Sequence, residues 1–260
     1  MNERIEKSTS DKTSGQTERK DLFYWLTVAK DADGNPGYSK PEMLLEARLL
    51  MTAGSDTSSI TLAAAFFYLS RNPKALTKLQ NELRSTFDSF DMIRQGPKLN
   101  DCTYLRAVID ETLRMAPPVS SSIPREVEAG GFRINNQYFP EGTILGTSAY
   151  CLHRNIDNFP DPSIYRPERW IVDEKNGVTA DDVTAAKLAF VPFSLGSRGC
   201  VGKPMAYAEI SIALARVLWR FDIRLKRGDR TGEGADGEFE LADVFVMERD
   251  GPLVEFRAVR

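Results

Sequence analysis

The stretch Phe193-Ser194-Leu195-Gly196-Ser197-Arg198-Gly199-Cys200-Val201-Gly202 decides how the chain is read. Its glycines allow turns that a side chain would forbid, and they leave one thiol projecting just ahead of a long apolar-periodic segment. A cysteine at the start of a helix ionises readily, because unpaired N–H groups and the positive end of the helix dipole favour a thiolate; Arg198 adds a positive charge nearby. A thiolate is a metal ligand or a nucleophile. Zinc needs further Cys or His ligands at close spacing, and Cys102, Cys151 and His153 are not in a paired arrangement. One axial thiolate, with the other iron ligands supplied by a porphyrin, is the remaining metal reading. The structural alternative is a buried, inert thiol in a glycine-rich turn.

The spacing Phe193, Gly196, Arg198, Cys200, Gly202 resembles the cysteine-ligand loop of the cytochrome P450 family, and other stretches fall in that family's order. Ala53-Gly54-Ser55-Asp56-Thr57-Ser58 places poor helix formers inside a helical pattern, where Gly54 alone costs about 1 kcal/mol relative to Ala. The run is a close helix contact or a kink on one reading. It is also similar to the family's oxygen-binding groove, in which Gly54 lets the helix approach the haem and Thr57 with Asp56 delivers protons to dioxygen. Glu111-Thr112-Leu113-Arg114 puts two charges on one helix face, which alone describes an exposed ion pair. It also resembles the family's Glu-x-x-Arg pair, which joins an arginine of Pro167-Glu168-Arg169-Trp170, a run with Trp where the family pattern has Phe. The resemblance implies that Glu111, Arg114 and Arg169 form a buried network fixing the loop under the haem. Arg125 matches an arginine that holds a haem propionate in relatives; an ion pair with Glu126 or Glu128 is the alternative.

The resemblance implies a mainly α fold with small β-sheets, the C-terminal portion of the cytochrome P450 fold, over Asp21 to Arg260. Within it fall a groove helix at about 40–71, the Glu-x-x-Arg helix at about 103–116, a meander at about 153–192 and the cysteine loop at 193–202. It also implies a haem-thiolate monooxygenase that inserts one atom of dioxygen into an organic substrate. Haem b would be the cofactor, with Cys200 its axial ligand and Arg198 and Arg125 on its propionates. Phe193 would lie beside the ligand, and backbone N–H groups near Gly202 would tune it. Electrons would come from NADPH through a separate cytochrome reductase. Leu50, Ala53, Val119 to Ile123 and Val244 to Val246 give only a mostly apolar wall with a few hydroxyls, which does not identify the substrate; a small, mostly apolar organic molecule is the expectation.

Relatives carry a long N-terminal half that has no counterpart here, so the chain reads as a C-terminal portion. A truncated product without independent activity is therefore a second expectation. A haem-thiolate isomerase or peroxide user is a third, against which Asp56 and Thr57 stand. Full-length relatives are anchored to the endoplasmic reticulum by an N-terminal segment ahead of anything in this sequence, which leaves localisation unread.

Composition narrows the classes further. The 260 residues carry a net charge of −3, with 42% hydrophobic and 27% charged residues, which describes a globular chain with no basic field for nucleic acid. Three cysteines make no disulfide framework and favour a reducing compartment. No apolar run is long enough to span a bilayer.

Along the chain, polar residues 1–20 read as a flexible lead and Asp21 to Lys30 as a short amphipathic helix. Ser39 and Glu42 make a capping box that starts a helix running to Asn72-Pro73. Its stretch Ile60 to Leu69 is apolar almost all round, and the other long helices are expected to leave one side of it uncovered. Helices follow over Pro73 to Phe87 and Tyr104 to Met115, with a loop at Pro97 to Cys102. Val119 to Ser148 reads as a small sheet, with strands at Gly131 to Ile134, Tyr138-Phe139 and Ile144 to Thr147, Asp173 to Ala186 as a surface insertion, and Pro204 to Phe221 as an internal helix. Strands near Ile223 and Leu253 to Phe256 flank a hairpin at Val244-Phe245-Val246 that faces the pocket. His153 is a base for a Cys200 nucleophile on one reading. Without an acyl-transfer signature, a packing or supporting role is preferred.

Overall fold

The computed structural model describes residues 21–259; the expected lead over 1–20 lies outside them. The chain divides into two compact units, Met1–Ser55 and Asp56–Arg260.

In the first unit, helix α1 (Leu22–Val28) starts where the Asp21 carboxylate accepts the Tyr24 N–H at 3.0 Å. The Asp31 carboxylate then accepts the N–H groups of Asp33 and Asn35 and turns the chain. Helix α2 (Lys40–Arg71) begins with the Ser39 N–H donating to Glu42 at 2.7 Å, half of a capping box. It runs 32 residues without a break at Gly54. Its turns in this unit expose Leu45, Leu49, Leu50 and Met51.

The second unit is built on the rest of α2. Asn72-Pro73 stops that helix and seeds α3 (Pro73–Thr86), since proline is pre-set for a first helical turn. A single turn, α4 (Pro97–Asn100), occupies part of the expected loop. Helix α5 (Thr103–Met115) ends against Pro117-Pro118. Four short strands follow: β1 (Arg125–Glu126), β2 (Phe132–Ile134), β3 (Gln137–Phe139) and β4 (Ile144–Leu145). Then come α6 (Ala149–Arg154), α7 (Ala180–Ala189), α8 (Lys203–Arg220), β5 (Phe221–Leu225) and β6 (Val254–Ala258).

The core lies among α2, α3, α5 and α8, with Phe67, Leu69, Leu79, Leu83, Leu105, Ile109 and Leu214 fully buried. In α3 the buried residues Leu76, Leu79 and Leu83 fall at helical spacing, so one face of that helix carries all its packing.

Several expectations are corrected. The all-round apolar stretch of α2 is largely covered, with Ile60, Ala64, Ala65, Phe67, Tyr68 and Leu69 buried. On its half-buried side Phe66 meets Phe256 of β6 edge to face, and Phe256 also meets Phe221. The single sheet is instead two antiparallel ribbons, β1 with β4 and β2 with β3. The cause is local: Asn135 and Asn136 both take positive φ and close β2–β3 tightly, whereas the Gly142 N–H bonds the Val127 carbonyl and sends β4 back to β1. Asp173 to Ala186 is no mere surface insertion, since α7 has a full capping box at Thr179 and Asp182, and its Ala186 joins Ala107, Phe159 and Trp170 in a second core. Val244-Phe245-Val246 does lie in a hairpin, closed by the antiparallel Ala242–Glu248 bridge, but Val244 and Phe245 are exposed, and the inward residue is Met247, whose N–H bonds Pro118 O at 3.0 Å. Among the described residues no helix is long and apolar enough to cross a membrane.

The end of α8 is held by one guanidinium. Arg84 of α3 donates to the carbonyls of Leu218, Trp219 and Phe221 and to the Asp222 carboxylate at 2.9 to 3.3 Å. A cation there satisfies carbonyls that a helix C-terminus leaves unpaired. Arg84→Met, which keeps the apolar stem, is expected to lower unfolding free energy by about 2 kcal/mol in urea titrations. A loss under about 0.5 kcal/mol, as for an ordinary surface change, would show that α8 is capped without it.

Candidate functional site

The cysteine loop is laid out by backbone hydrogen bonds. The Val191 carbonyl accepts the Ser194 N–H at 3.0 Å, Phe193 O accepts the Cys200 N–H at 2.8 Å, and Gly196 O accepts the Gly199 N–H at 3.0 Å. Gly196 sits at φ +70°, and a Cβ on Gly199 would lie 3.2 Å from the Gly196 carbonyl oxygen, so both positions favour glycine. Gly202 immediately precedes α8, and a Cβ there would come within 3.7 Å of the Cys200 sulfur. The thiol of Cys200 and the guanidinium of Arg198 are exposed, and Val201 beside them is 92% exposed. Cys200 is therefore not the buried, inert thiol of the structural alternative. A porphyrin supplies four nitrogens and asks the protein for one axial ligand, and one accessible thiol at a helix start with apolar neighbours Phe193, Leu195 and Val201 fits that need.

Behind the loop, α5 is buried on every side from Ala107 to Met115, so its polar groups must find partners inside the protein. Glu111 and Arg114 are fully buried, not an exposed pair. The Glu111 carboxylate accepts three donors on Oε1, from Arg114 Nη2, Arg169 Nε and the Arg166 N–H, and two on Oε2, from Arg114 Nε and the Trp170 indole, all at 2.8 to 3.0 Å. A carboxylate has about four acceptor sites, so this one is saturated. The two guanidiniums exceed one negative charge, and carbonyls take up the remainder: His153 O and Ile164 O for Arg114, and Pro160 O, Asp161 O and Ile164 O for Arg169.

Two partners of this network escape a reading of the sequence. Trp170, where the family pattern has Phe, donates an N–H that phenylalanine lacks. His153, fully buried, packs its ring near Phe159 and Phe190 and accepts the Val191 N–H on Nε2 at 3.0 Å. A third cluster joins α5 to α8. Tyr207 donates to Asp110 at 2.7 Å, Arg106 pairs with Asp110 and lies over the Tyr207 ring, and that ring meets Phe193 at 5.2 Å. Burial pushes the Asp110 carboxyl above its ordinary range against the pull of Arg106 and Tyr207.

Asp56 and Thr57 lie on α2, where their carbonyls accept from Ser59 and Thr61. A Cβ at Gly54 meets open space, so no packed neighbour requires that glycine. Arg125 is exposed and donates to Pro124 O; among the described residues it forms no ion pair with Glu126 or Glu128.

Residues 1–241 match the family model for cytochrome P450. The chain belongs to the cytochrome P450 family. It is 45% identical to the cytochrome P450 monooxygenase apf8 of Gibberella fujikuroi, over 90% of this chain and 65% of that protein. It is 40% identical to the cytochrome P450 monooxygenase atnE of Emericella nidulans over 92% of this chain and 46% of that protein. A third relative, the cytochrome P450 monooxygenase lcsN of Purpureocillium lilacinum, is 38% identical over 91% of this chain and 71% of its own length. The chain thus spans between 46% and 71% of the length of these relatives. Cytochromes P450 are haem-thiolate oxidoreductases that work with dioxygen and a redox partner, and the mainly helical architecture with small antiparallel ribbons is that family's.

The buried imidazole gives this P450 chain a pH dependence. The His153 pKa is pushed down from 6.5 to about 4, first by burial, then by Arg114, with Arg154 adding to it. The native state therefore stays neutral where the unfolded chain binds a proton. Stability is unaffected above the ordinary value of 6.5 and falls as pH drops towards about 4. At about 1.4 kcal/mol per pH unit the full difference is about 3 kcal/mol. Urea titrations across this window should show that loss in the parent and a correspondingly shallower slope in His153→Gln. Equal slopes would show that the imidazole does not carry it.

Proposed function

We propose that the chain forms the haem-thiolate part of a cytochrome P450 monooxygenase, with residues 21–260 corresponding to the C-terminal part of the haem domain and Cys200 as the axial ligand of haem b. The accessible Cys200 thiol at the start of α8, on a loop whose glycines and backbone bonds hold it outward, carries this reading. When bound, the haem supplies dioxygen activation, and an electron-donating thiolate favours O–O cleavage.

The remaining roles belong to the chain's own residues. Cys200 lies just ahead of α8 with the exposed Arg198 two residues before it, which leaves the sulfur accessible to a ligand-binding partner. The exposed guanidiniums of Arg198 and Arg125 are proposed to hold the propionates, a task suited to a planar fork of donors. Phe193, whose ring meets that of Tyr207, is proposed to lie beside the ligand. Thr57 and Asp56 are proposed to pass protons during dioxygen reduction, and Gly54 leaves clearance on its helix face. Glu111, Arg114 and Arg169 hold the loop's supporting segments in place. The substrate is proposed to be a small, mostly apolar organic molecule, with electrons from NADPH through a cytochrome reductase. Anchoring of the whole protein to the endoplasmic reticulum is proposed on the family resemblance alone.

Haem-reconstituted protein is expected to show the red-shifted Soret band of a thiolate-ligated ferrous carbonyl complex, and Cys200→Ser to abolish it. An unshifted band in the parent, or a band that survives the substitution, contradicts ligation by Cys200.

A further inference from the structure

The Val191 amide is the point where the cysteine loop leaves the protein body. Pro192 has no N–H to give, and Phe190 is half-buried against Trp170 and His153. The Val191 N–H donates to His153 Nε2, and the Val191 carbonyl in turn accepts the Ser194 N–H. Ser194, at φ +57°, takes the left-handed backbone that reverses the chain, and the adjacent Phe193 carbonyl accepts the Cys200 N–H. At its other end, His153 offers its own carbonyl to Arg114 Nη1 at 2.9 Å. One residue therefore bonds the Glu111 network through its backbone and the loop entrance through its ring.

The side chain's chemistry is selective. An imidazole that accepts on Nε2 must be neutral and carry its proton on Nδ1. Leucine or phenylalanine would fill the space beside Phe159 and Phe190 equally well but would leave the Val191 N–H without its acceptor. Arg114 on α5 and Arg154 on the same helix as His153 both disfavour a second proton, so the acceptor state is the stable one.

We propose that His153 is a positioning residue for Cys200: its neutral Nε2 fixes the Val191 amide and thereby sets the start of the cysteine loop. It touches neither substrate nor cofactor and acts through the backbone of Val191, Ser194 and Phe193. The proposal rests on the reading of Cys200 as haem ligand for its functional meaning, but its geometry stands without haem.

The test compares His153→Gln, whose amide oxygen reaches the place of Nε2 and accepts, with His153→Leu, which fills space and cannot. Amide hydrogen exchange in the haem-free chain is read at Val191 and Ser194 to Cys200, with Leu214 in the core of α8 as reference. Leu at 153 should speed exchange at Val191 and in the loop by about tenfold, the worth of one hydrogen bond, while Leu214 changes little; Gln should restore protection to within about threefold. In the haem-loaded protein the fraction with the red-shifted ferrous carbonyl band should fall with Leu and recover with Gln. Equal behaviour of the two variants, or a rise in exchange that includes Leu214 to the same degree, overturns the proposal. A carbonyl band unaffected by Cys200→Ser would instead remove the haem-ligand reading while leaving the exchange result to stand or fall by itself.

Discussion

A saturated, buried carboxylate is the constraint on which the second unit depends. Removing Glu111 from water has a large desolvation cost, and only a full set of donors in good geometry offsets it. Those donors come from its own helix, at Arg114, and from the irregular segment at Arg166, Arg169 and Trp170. A segment with little regular structure is thereby fixed to α5 as firmly as a strand is to its neighbour. The same network reaches the cysteine loop through Arg114 and His153.

The arrangement separates rigidity from exposure. Cys200, Arg198 and Val201 are open to solvent, yet the loop is tied at its entrance to His153, across its neck by the Cys200 N–H to Phe193 O bond, and at its exit to α8. Phe193 is backed by Tyr207, which is held by Asp110 of α5. Both ends of the loop thus answer to α5, one through Arg114 and one through Asp110. On the proposed role of Cys200 such support matters, because a ligand displaced by a fraction of an ångström no longer meets its partner in line.

What could be read from the sequence was what local chemistry decides. The ends of α2 follow from Ser39 with Glu42 and from Asn72-Pro73, and the tight turn between β2 and β3 follows from two asparagines that tolerate positive φ. The cysteine loop and the Glu111–Arg114 pair were visible as motifs. The bonds that join them were not: Glu111 to Trp170, His153 to Val191 and Asp110 to Tyr207 link residues 59, 38 and 97 positions apart. Nothing in residue type alone says that His153 spends its ring on a backbone amide. At Val244 to Val246 the hairpin was legible but its facing was not, since Phe245 takes positive φ and Met247 is the residue turned inward.

The central claim is that Glu111 and its donors act as one unit, and a double-mutant cycle between Glu111→Gln and Arg169→Met tests it most directly. Measured by urea unfolding, each single change should cost several kcal/mol, about 3 to 5 for a broken buried pair, and the double should cost less than their sum by about 1 to 3 kcal/mol. Additivity within about 0.5 kcal/mol would contradict the claim and would mean that the two residues hold the second unit together independently.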